Sequence, residues 1–199
     1  MKIIGVAASP RPGQASFTLL TAALRAAAEV NDSITTELIE LAGRQINGCL
    51  ACGACAKKLA CSQDDGFPAL IDTLADPKVG GLILATPVYM SGLTAQAKAF
   101  LDRLVMFRRN GFMFRNKVGG AIAVGGFRNG GQEPSIQTIQ AAMLAQDMVI
   151  VGDGMPTAHF GGAGCSGGEG GVEADEMGLT TAQGVGRRVA EVALRMRQE

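Results

Sequence analysis

The chain has 199 residues, of which 47% are hydrophobic, 18% charged and 5% aromatic, with 18 basic side chains balanced by 18 acidic ones. That length suits one domain with a sizeable core, the apolar share excludes a disordered chain, and zero net charge argues against a nucleic-acid binder, which carries a basic excess. The 28 glycines are about twice the usual share of roughly 7%, which suggests backbone lying close to a ligand or a subunit neighbour.

Five short apolar runs read as strands, in order Lys2 to Ala8, Ile34 to Leu41, Gly81 to Ala85, Val118 to Val124 and Met148 to Val151. All but the second are nearly continuous, as in a parallel sheet buried on both faces; the second alternates and fits an edge. Helical patterns run over Ser16 to Val30, Leu93 to Phe107, Ser135 to Gln146 and Thr180 to Gln198, with a shorter one from Pro68 to Leu74. Strands alternating with helices imply right-handed crossovers in a doubly wound α/β sheet. Five strands predict a flavodoxin-like five-stranded parallel sheet in the order 2-1-3-4-5, built as one domain over 1–199. Within it, 47–66 is a cysteine-bearing insertion and 156–178 a Gly-rich C-terminal loop.

The longest uncharged stretch, between Lys78 and Lys98, holds Thr86-Pro87, Ser91-Gly92, Thr94 and Gln96, groups that are costly in lipid. The N-terminus reaches Pro10-Arg11 before a signal-peptide core is complete. No membrane association and a cytoplasmic location are the expectations.

In this fold a ligand sits outside the carboxyl ends of the strands, so three loops come into question. The first, Ser9-Pro10-Arg11-Pro12-Gly13-Gln14-Ala15-Ser16, puts hydroxyls and an Arg at a helix N-terminus. Free N–H groups and the helix dipole make it an anion site, with Arg11 as a clamp; its glycine spacing is neither a Walker nor a dinucleotide loop. As an ordinary turn it would use Ser16 as an N-cap. The second, Thr86-Pro87-Val88-Tyr89-Met90-Ser91-Gly92, carries the only Tyr and two apolar faces for a flat ring. The third, Gly125-Gly126-Phe127-Arg128-Asn129-Gly130-Gly131-Gln132-Glu133-Pro134, offers backbone to a polar heterocycle. One phosphate loop and two ring-facing loops fit a mononucleotide, with FMN the natural candidate and Arg128 a charge near its ring.

Cys49, Cys52, Cys55 and Cys61 lie within thirteen residues as C-x2-C-x2-C-x5-C. The first three match the compact run that wraps a 4Fe-4S cubane, and the small residues Gly48, Ala51, Gly53, Ala54 and Ala56 leave room for it. A four-cysteine zinc site and free or redox-active thiols are the alternatives.

Ser9-Pro10-Arg11, the Pro87-Val88-Tyr89 loop leading into Lys98-Ala99-Phe100-Leu101-Asp102-Arg103, and Gly126 through Glu133 resemble the NADPH-dependent FMN reductase superfamily. With the cysteines included, the resemblance is to its iron-sulfur flavoprotein branch. It implies FMN held by Ser9, Arg11, Ser16, Phe17, Thr18, Pro87, Val88, Tyr89, Met90, Ser91, Gly92, Gly125, Gly126, Arg128, Asn129, Gly130 and Gly131. It also implies a 4Fe-4S cluster on Cys49, Cys52, Cys55 and Cys61, and assembly into homodimers or homotetramers. Where the family loop continues Gly-Asn-Thr, this chain has Gln14-Ala15-Ser16, which keeps a hydroxyl and lacks the Asn contact.

The expected function is FMN-dependent electron transfer from ferredoxin or NAD(P)H to a small acceptor such as a quinone or oxygen species. Flavin N5 carries the chemistry, so no catalytic side chain is assigned. The rival readings are a non-enzymatic carrier and a zinc-stabilised, flavin-free interaction module.

Other features read as structural. Gly162-Ala163-Gly164-Cys165-Ser166-Gly167 matches G-x-G-x-x-G but precedes no clear helix, so Gly161 to Gly171 is expected to be a flexible loop and Cys165 a lone thiol. His159 is read as a loop residue, Asp64-Asp65 as a solvated turn and Asp102-Arg103 as a local pair. Arg108, Arg109, Arg115 and Lys117 are read as a solvated basic face, or else as attractors of an acidic partner or nicotinamide phosphate.

Overall fold

The computed structural model describes residues 1–197. Strand β1 (Lys2–Ala7) lies between β2 (Thr35–Glu40) and β3 (Val79–Pro87), and β3 pairs along its length with β4 (Val118–Gly125). All pairings are parallel, and the order ends with β5 (Val149–Ile150) as 2-1-3-4-5, as expected. β4 is buried throughout, which is why its sequence runs apolar without alternation. β2 is half exposed at the edge, consistent with its alternating pattern.

The fifth position differs from expectation. β5 pairs only with Val118 and Gly119. The chain then leaves the sheet and returns as β6 (Gly162–Cys165), which pairs in parallel with Ile122 to Gly125. β3 already occupies the other side of β4, so β5 and β6 share one edge position around an excursion over 152–161. The expected flexible loop therefore begins as a strand. Its signal is missing because Gly-Ala-Gly-Cys carries no β-forming pattern. The glycines answer to space: a Cβ at Gly162 would meet Ile122 at 2.9 Å and Ala182 at 3.1 Å.

Period-two alternation along the central strands feeds two cores. One face sends Ile4, Val6, Leu82, Leu84, Ala121 and Ala123 against Phe100, Phe107 and Phe114 and the helices α3 (Ala95–Arg103), α4 (Val105–Arg109) and α5 (Gln132–Leu144). The other sends Ile3, Ala7, Ile83, Ala85, Ile122 and Val124 against α1 (Ala15–Ala28) and α6 (Glu176–Met196). α6 lies close to the sheet because Gly81 and Gly120 leave room; a Cβ at either would stand 2.6 Å from Val189 or Val185 respectively.

The pattern read as one helix from Leu93 to Phe107 is two, broken at Leu104, where the turn tightens and its N–H faces both the Phe100 and Leu101 carbonyls. The Pro68 to Leu74 reading corresponds to a 3₁₀ turn (Pro68–Leu70) followed by α2 (Ile71–Ala75). The last helix begins at Glu176, four residues before the expected Thr180, and runs to Met196; Gln198 lies outside the described residues. Among the described residues no helix is long and apolar enough to cross a membrane.

Candidate functional site

The three loops meet at the carboxyl ends of β1, β3 and β4. The Ala8 N–H donates to the Ala85 carbonyl and the Val88 N–H to the Val124 carbonyl, which continues the ladder past the strands (both 2.8 Å). Thr94, the N-cap of α3, accepts from the Ala97 N–H and donates to the Ala8 carbonyl at 2.7 Å, tying the first loop to the helix after the second. At Gly131 a Cβ would stand 2.8 Å from the Ser91 Cα and 3.1 Å from Val88, so the second and third loops touch.

In the first loop Ser9 is buried and its hydroxyl accepts from the Arg11 N–H at 3.1 Å. The Gly13 N–H donates to Glu40. The turn reading of Ser16 needs correction: Gln14 is the N-cap and caps with no side-chain bond, while Ser16 lies inside the first turn. Its Oγ is buried with no hydrogen-bond partner among the described residues. A buried hydroxyl without a partner costs about 1–3 kcal/mol. Beside it the first N–H groups of α1 have no intrahelical acceptor, and Arg11 is exposed with no ion pair among the described residues. An unspent cation, free N–H groups and an orphaned hydroxyl fit an anion such as a phosphate ester. Phe17 packs toward the α1–α6 core and the Thr18 hydroxyl lies 3.3 Å from Glu173.

In the second loop Tyr89 and Gly92 exchange two backbone hydrogen bonds of 3.0 Å, closing a four-residue turn. Its central residues, Met90 and Ser91, have φ of +49° and +61°, the left-handed region that non-glycine residues rarely adopt. Such strain is kept where the surroundings impose it. The turn holds Tyr89 half exposed and Met90 fully exposed, leaving two apolar faces at the crevice.

Gln132 organises the third loop. It is buried, accepts from the Gly130 N–H at 2.8 Å, and donates to the carbonyls of Phe127 (2.6 Å) and Gly164 (3.0 Å). Sequence reasoning counted it only as part of the loop. Arg128 pairs with Asp175 and donates to the Ala163 carbonyl. The Ala163 N–H meets the Thr181 hydroxyl and the Cys165 N–H meets Asp175, so side chains satisfy the outer edge of β6. Desolvation pushes the Asp175 carboxyl up, but hydrogen bonds from Arg128 and the N–H groups of Gly178 and Cys165 hold it below the usual carboxylate range.

The cysteine segment follows β2 and has little regular structure beyond a 3₁₀ turn (Ala54–Ala56). Cys49, Cys52, Cys55 and Cys61 nevertheless line one cavity with Arg103 and Arg109. Cys49 and Cys52 are exposed, Cys55 is buried and Cys61 lies between. Neutral groups meet the outer pair: the Ala51 N–H lies 3.4 Å from the Cys49 Sγ, and the Ser62 hydroxyl 3.1 Å from the Cys52 Sγ. The Ser62 contact, then the Ala54 N–H, holds the Cys52 thiol below its ordinary value. Guanidiniums meet the inner pair, Arg103 donating to Cys61 at 3.1 Å and Arg109 to Cys55 at 3.5 Å. Among the described residues no group of three or more His, Cys, Asp or Glu is arranged to hold a metal ion. Four thiols lining one cavity, with two cations beside them, are nevertheless the donor set that an anionic metal-thiolate group uses.

Two readings of charge need correction here. Asp65 is not a solvated turn residue, and Arg103 does not pair with Asp102. Arg103 and Asp65 form an ion pair with contacts of 2.8 and 3.1 Å, each side chain only 2% exposed. Arg103 also donates to the Asn47 carbonyl at 2.9 Å and lies 4.6 Å over the Phe67 ring. Desolvation would raise the Asp65 carboxyl, but Arg103 and the N–H groups of Asn47 and Phe67 hold it below the ordinary range. Asp102 pairs instead with Lys98.

Of the expected solvated basic face, Arg108, Arg109 and Arg115 are exposed as read, and only Lys117 is half-buried. Arg108 donates to the Ala145 carbonyl, Arg109 turns to Cys55, Arg115 pairs with Asp147, and Lys117 lies 5.3 Å over the Phe114 ring. Burial pushes the Lys117 ammonium below its usual value. His159, a loop residue as read, lies 3.5 Å from buried Asp153, and Cys165 makes one long contact of 3.7 Å to the Gly126 carbonyl.

One signal for Arg103 was present in the sequence. It sits three residues after Phe100 and four before Phe107, on the helix stripe that faces the core. A charge on that stripe needs a buried partner.

The chain is similar to known proteins. The profile of the family described as NADPH-dependent FMN reductase matches residues 1–162. An iron-sulfur flavoprotein of Methanocaldococcus jannaschii is 43% identical over 192 residues, covering 96% of this chain and 97% of the relative. An iron-sulfur flavoprotein of Methanosarcina thermophila is 38% identical over 192 residues, covering 96% and 95%. The crystal structure of a WrbA-like flavodoxin from Agrobacterium tumefaciens superposes with a TM-score of 0.64 at 19% identity, covering 98% of each chain, and shares the flavodoxin-like fold. By the family profile and by two relatives matched along nearly their whole length, this chain belongs to the NADPH-dependent FMN reductase family.

Proposed function

We propose that the protein is a two-centre flavin oxidoreductase, which holds FMN at the three loops and a 4Fe-4S cluster at the four cysteines. The observation that carries the first half is the buried Ser16 hydroxyl, without a partner among the described residues, beside the N-terminus of α1 and an Arg11 that makes no ion pair among them. The names of the two relatives and the cavity shared by four thiols support the second half.

On this reading Ser9, Arg11 and Ser16 bind the phosphate, with Arg11 neutralising its charge. The Pro87 to Gly92 turn and the backbone from Gly125 to Gly131 orient the ring. Tyr89 and Met90 exclude water from its edge. Cys49, Cys52, Cys55 and Cys61 hold the cluster. FMN, when bound, supplies two-electron chemistry and the cluster one-electron chemistry, so the pair suits exchange between carriers of the two kinds. On this reading no side chain is assigned as acid or base, because the flavin would carry the chemistry. The donor is a reduced ferredoxin or NAD(P)H, the acceptor a small molecule such as a quinone or an oxygen species. Cytoplasmic location and assembly as a homodimer or homotetramer belong to the same reading.

The test is the visible spectrum of protein purified without oxygen, with iron, sulfide and flavin assays on the same sample. Flavin bands with about four iron per chain are expected. A colourless protein would sink the proposal, and flavin without iron would leave only its first half. Turnover of NAD(P)H with a quinone then separates an enzyme from a carrier that only exchanges electrons with partners.

A further inference from the structure

The two guanidiniums at the cysteine cavity do not belong to the ligand set, yet both point at sulfur. We propose that Arg103 and Arg109 are positioning residues for the metal-thiolate group, whose reduction potential they raise by donating hydrogen bonds to the sulfurs of Cys61 and Cys55. The inference rests on the two-centre reading above and adds what tunes the second centre.

The arrangement is built rather than incidental. Arg103 is 2% exposed and clamped by Asp65, the Asn47 carbonyl and the Phe67 ring, which holds an Nη2 N–H on Cys61 at 3.1 Å. Arg109 reaches Cys55 at 3.5 Å from α4. The outer cysteines have only neutral donors, Ala51 N–H and Ser62 hydroxyl. The cationic donors therefore serve one half of the site.

Reduction of such a group would add one electron, supplied by reduced FMN when bound, and in the simplest case would neither take up a proton nor break a bond. Its negative charge grows by one. Hydrogen bonds from cations stabilise the more negative state more, so they raise the potential. Much of the Arg103 charge is offset by Asp65, whereas Arg109 pairs with no carboxylate among the described residues. Arg109 accordingly sets the potential more strongly, and Arg103 mainly fixes Cys61.

The test is a reductive titration of the full chain, purified without oxygen and followed by electron paramagnetic resonance, with iron and sulfide counted per chain. Arg109→Gln is expected to lower the midpoint of the iron centre by about 59 mV, a tenfold change in its one-electron equilibrium, with the flavin midpoint unmoved. Arg109→Lys, which keeps the charge, is expected to recover part of the shift. Arg108→Gln removes the neighbouring charge from a side chain bonded to the Ala145 carbonyl, and is expected to shift the midpoint by less than half as much. Arg103→Lys is expected to release iron to a chelator several-fold faster than the parent. Should that variant fail to fold, the Arg109 series decides alone. An unmoved midpoint in Arg109→Gln with iron intact overturns the proposal and leaves the two-centre reading standing. Equal shifts in Arg108→Gln and Arg109→Gln also overturn it, since charge at a distance would then suffice. A parent protein without iron overturns the reading and the proposal together.

Discussion

The phosphate loop and the cysteine segment both prepare a place for a charged group, and they do so by opposite means. The first loop is an outgrowth of regular structure: a buried strand delivers the chain to the N-terminus of α1, and N–H groups are left over because every helix leaves them over. The cysteine segment has almost no regular structure of its own. It is tied to the domain by side chains, chiefly the buried Arg103–Asp65 pair and the bond from Asn110 to the Cys55 carbonyl at 2.8 Å. The phosphate loop is thus cheap to form and loses little if a contact is removed. The cysteine segment depends on a few contacts, each of which matters to all the others.

That contrast is open to direct attack. Arg103→Ala leaves Asp65 buried without its partner, and is expected to cost about 3–5 kcal/mol of unfolding free energy in denaturant titrations. Iron content should fall with it. A loss below about 1 kcal/mol would show that the segment is held by something else.

At the other end, Arg11→Ala should leave the stability of the flavin-free protein within about 0.5 kcal/mol of the parent, because Arg11 is exposed and makes no ion pair among the described residues. FMN binding, followed by quenching of flavin fluorescence, should weaken about 10- to 150-fold, the range of one charge-assisted hydrogen bond. Unchanged affinity would remove the phosphate from this loop.

Ser16→Ala sharpens the comparison further, since its two effects have opposite signs. The flavin-free protein should become more stable by about 1 kcal/mol, because a buried hydroxyl without a partner is replaced by a methyl group. FMN affinity should fall by about 3- to 10-fold. If both quantities fall, the hydroxyl has a partner in the free protein.

The smallest effect is in pH. The carboxyls of Asp65 and Asp175 are held below the ordinary range in the folded chain. A lowered folded value contributes stability that is present above the unfolded value of about 3.9 and lost as pH falls through the folded one. Stability should therefore decline below about pH 4, and Asp65→Asn should flatten that decline. Lys2 has the reverse sign. Its hydrogen bonds from the ammonium to Asp76 and Glu37 raise its value, so its contribution is present below about pH 10.4 and fades as pH rises through the higher folded value.

Much of this was legible before any coordinates. Continuous apolar runs separated by helical periods leave few arrangements once crossovers must be right-handed, and the strand order follows. The three loops were found because they end buried strands. Ser16 was singled out as a residue of the anion loop, and its alternative reading as a cap falls to Gln14 because a helix boundary is uncertain by one or two residues in sequence. Gln132 was less visible, because its three contacts go to backbone of Phe127, Gly130 and Gly164, which carry no side-chain signature.

By itself, the sequence determined the doubly wound sheet, the crevice at its carboxyl edge and the crowding of four cysteines, because these rest on local periodicity and spacing. Only the tertiary structure decided which charges are buried and with whom. Asp65 and Arg103 lie 38 residues apart, and nothing near either residue announces the other. The same holds for β6, whose pairing with β4 is a backbone contact between segments about forty residues apart along the chain. Burial turns an ordinary Asp or Arg into an anchor, and burial is a property of the packed molecule that no short stretch of chain contains.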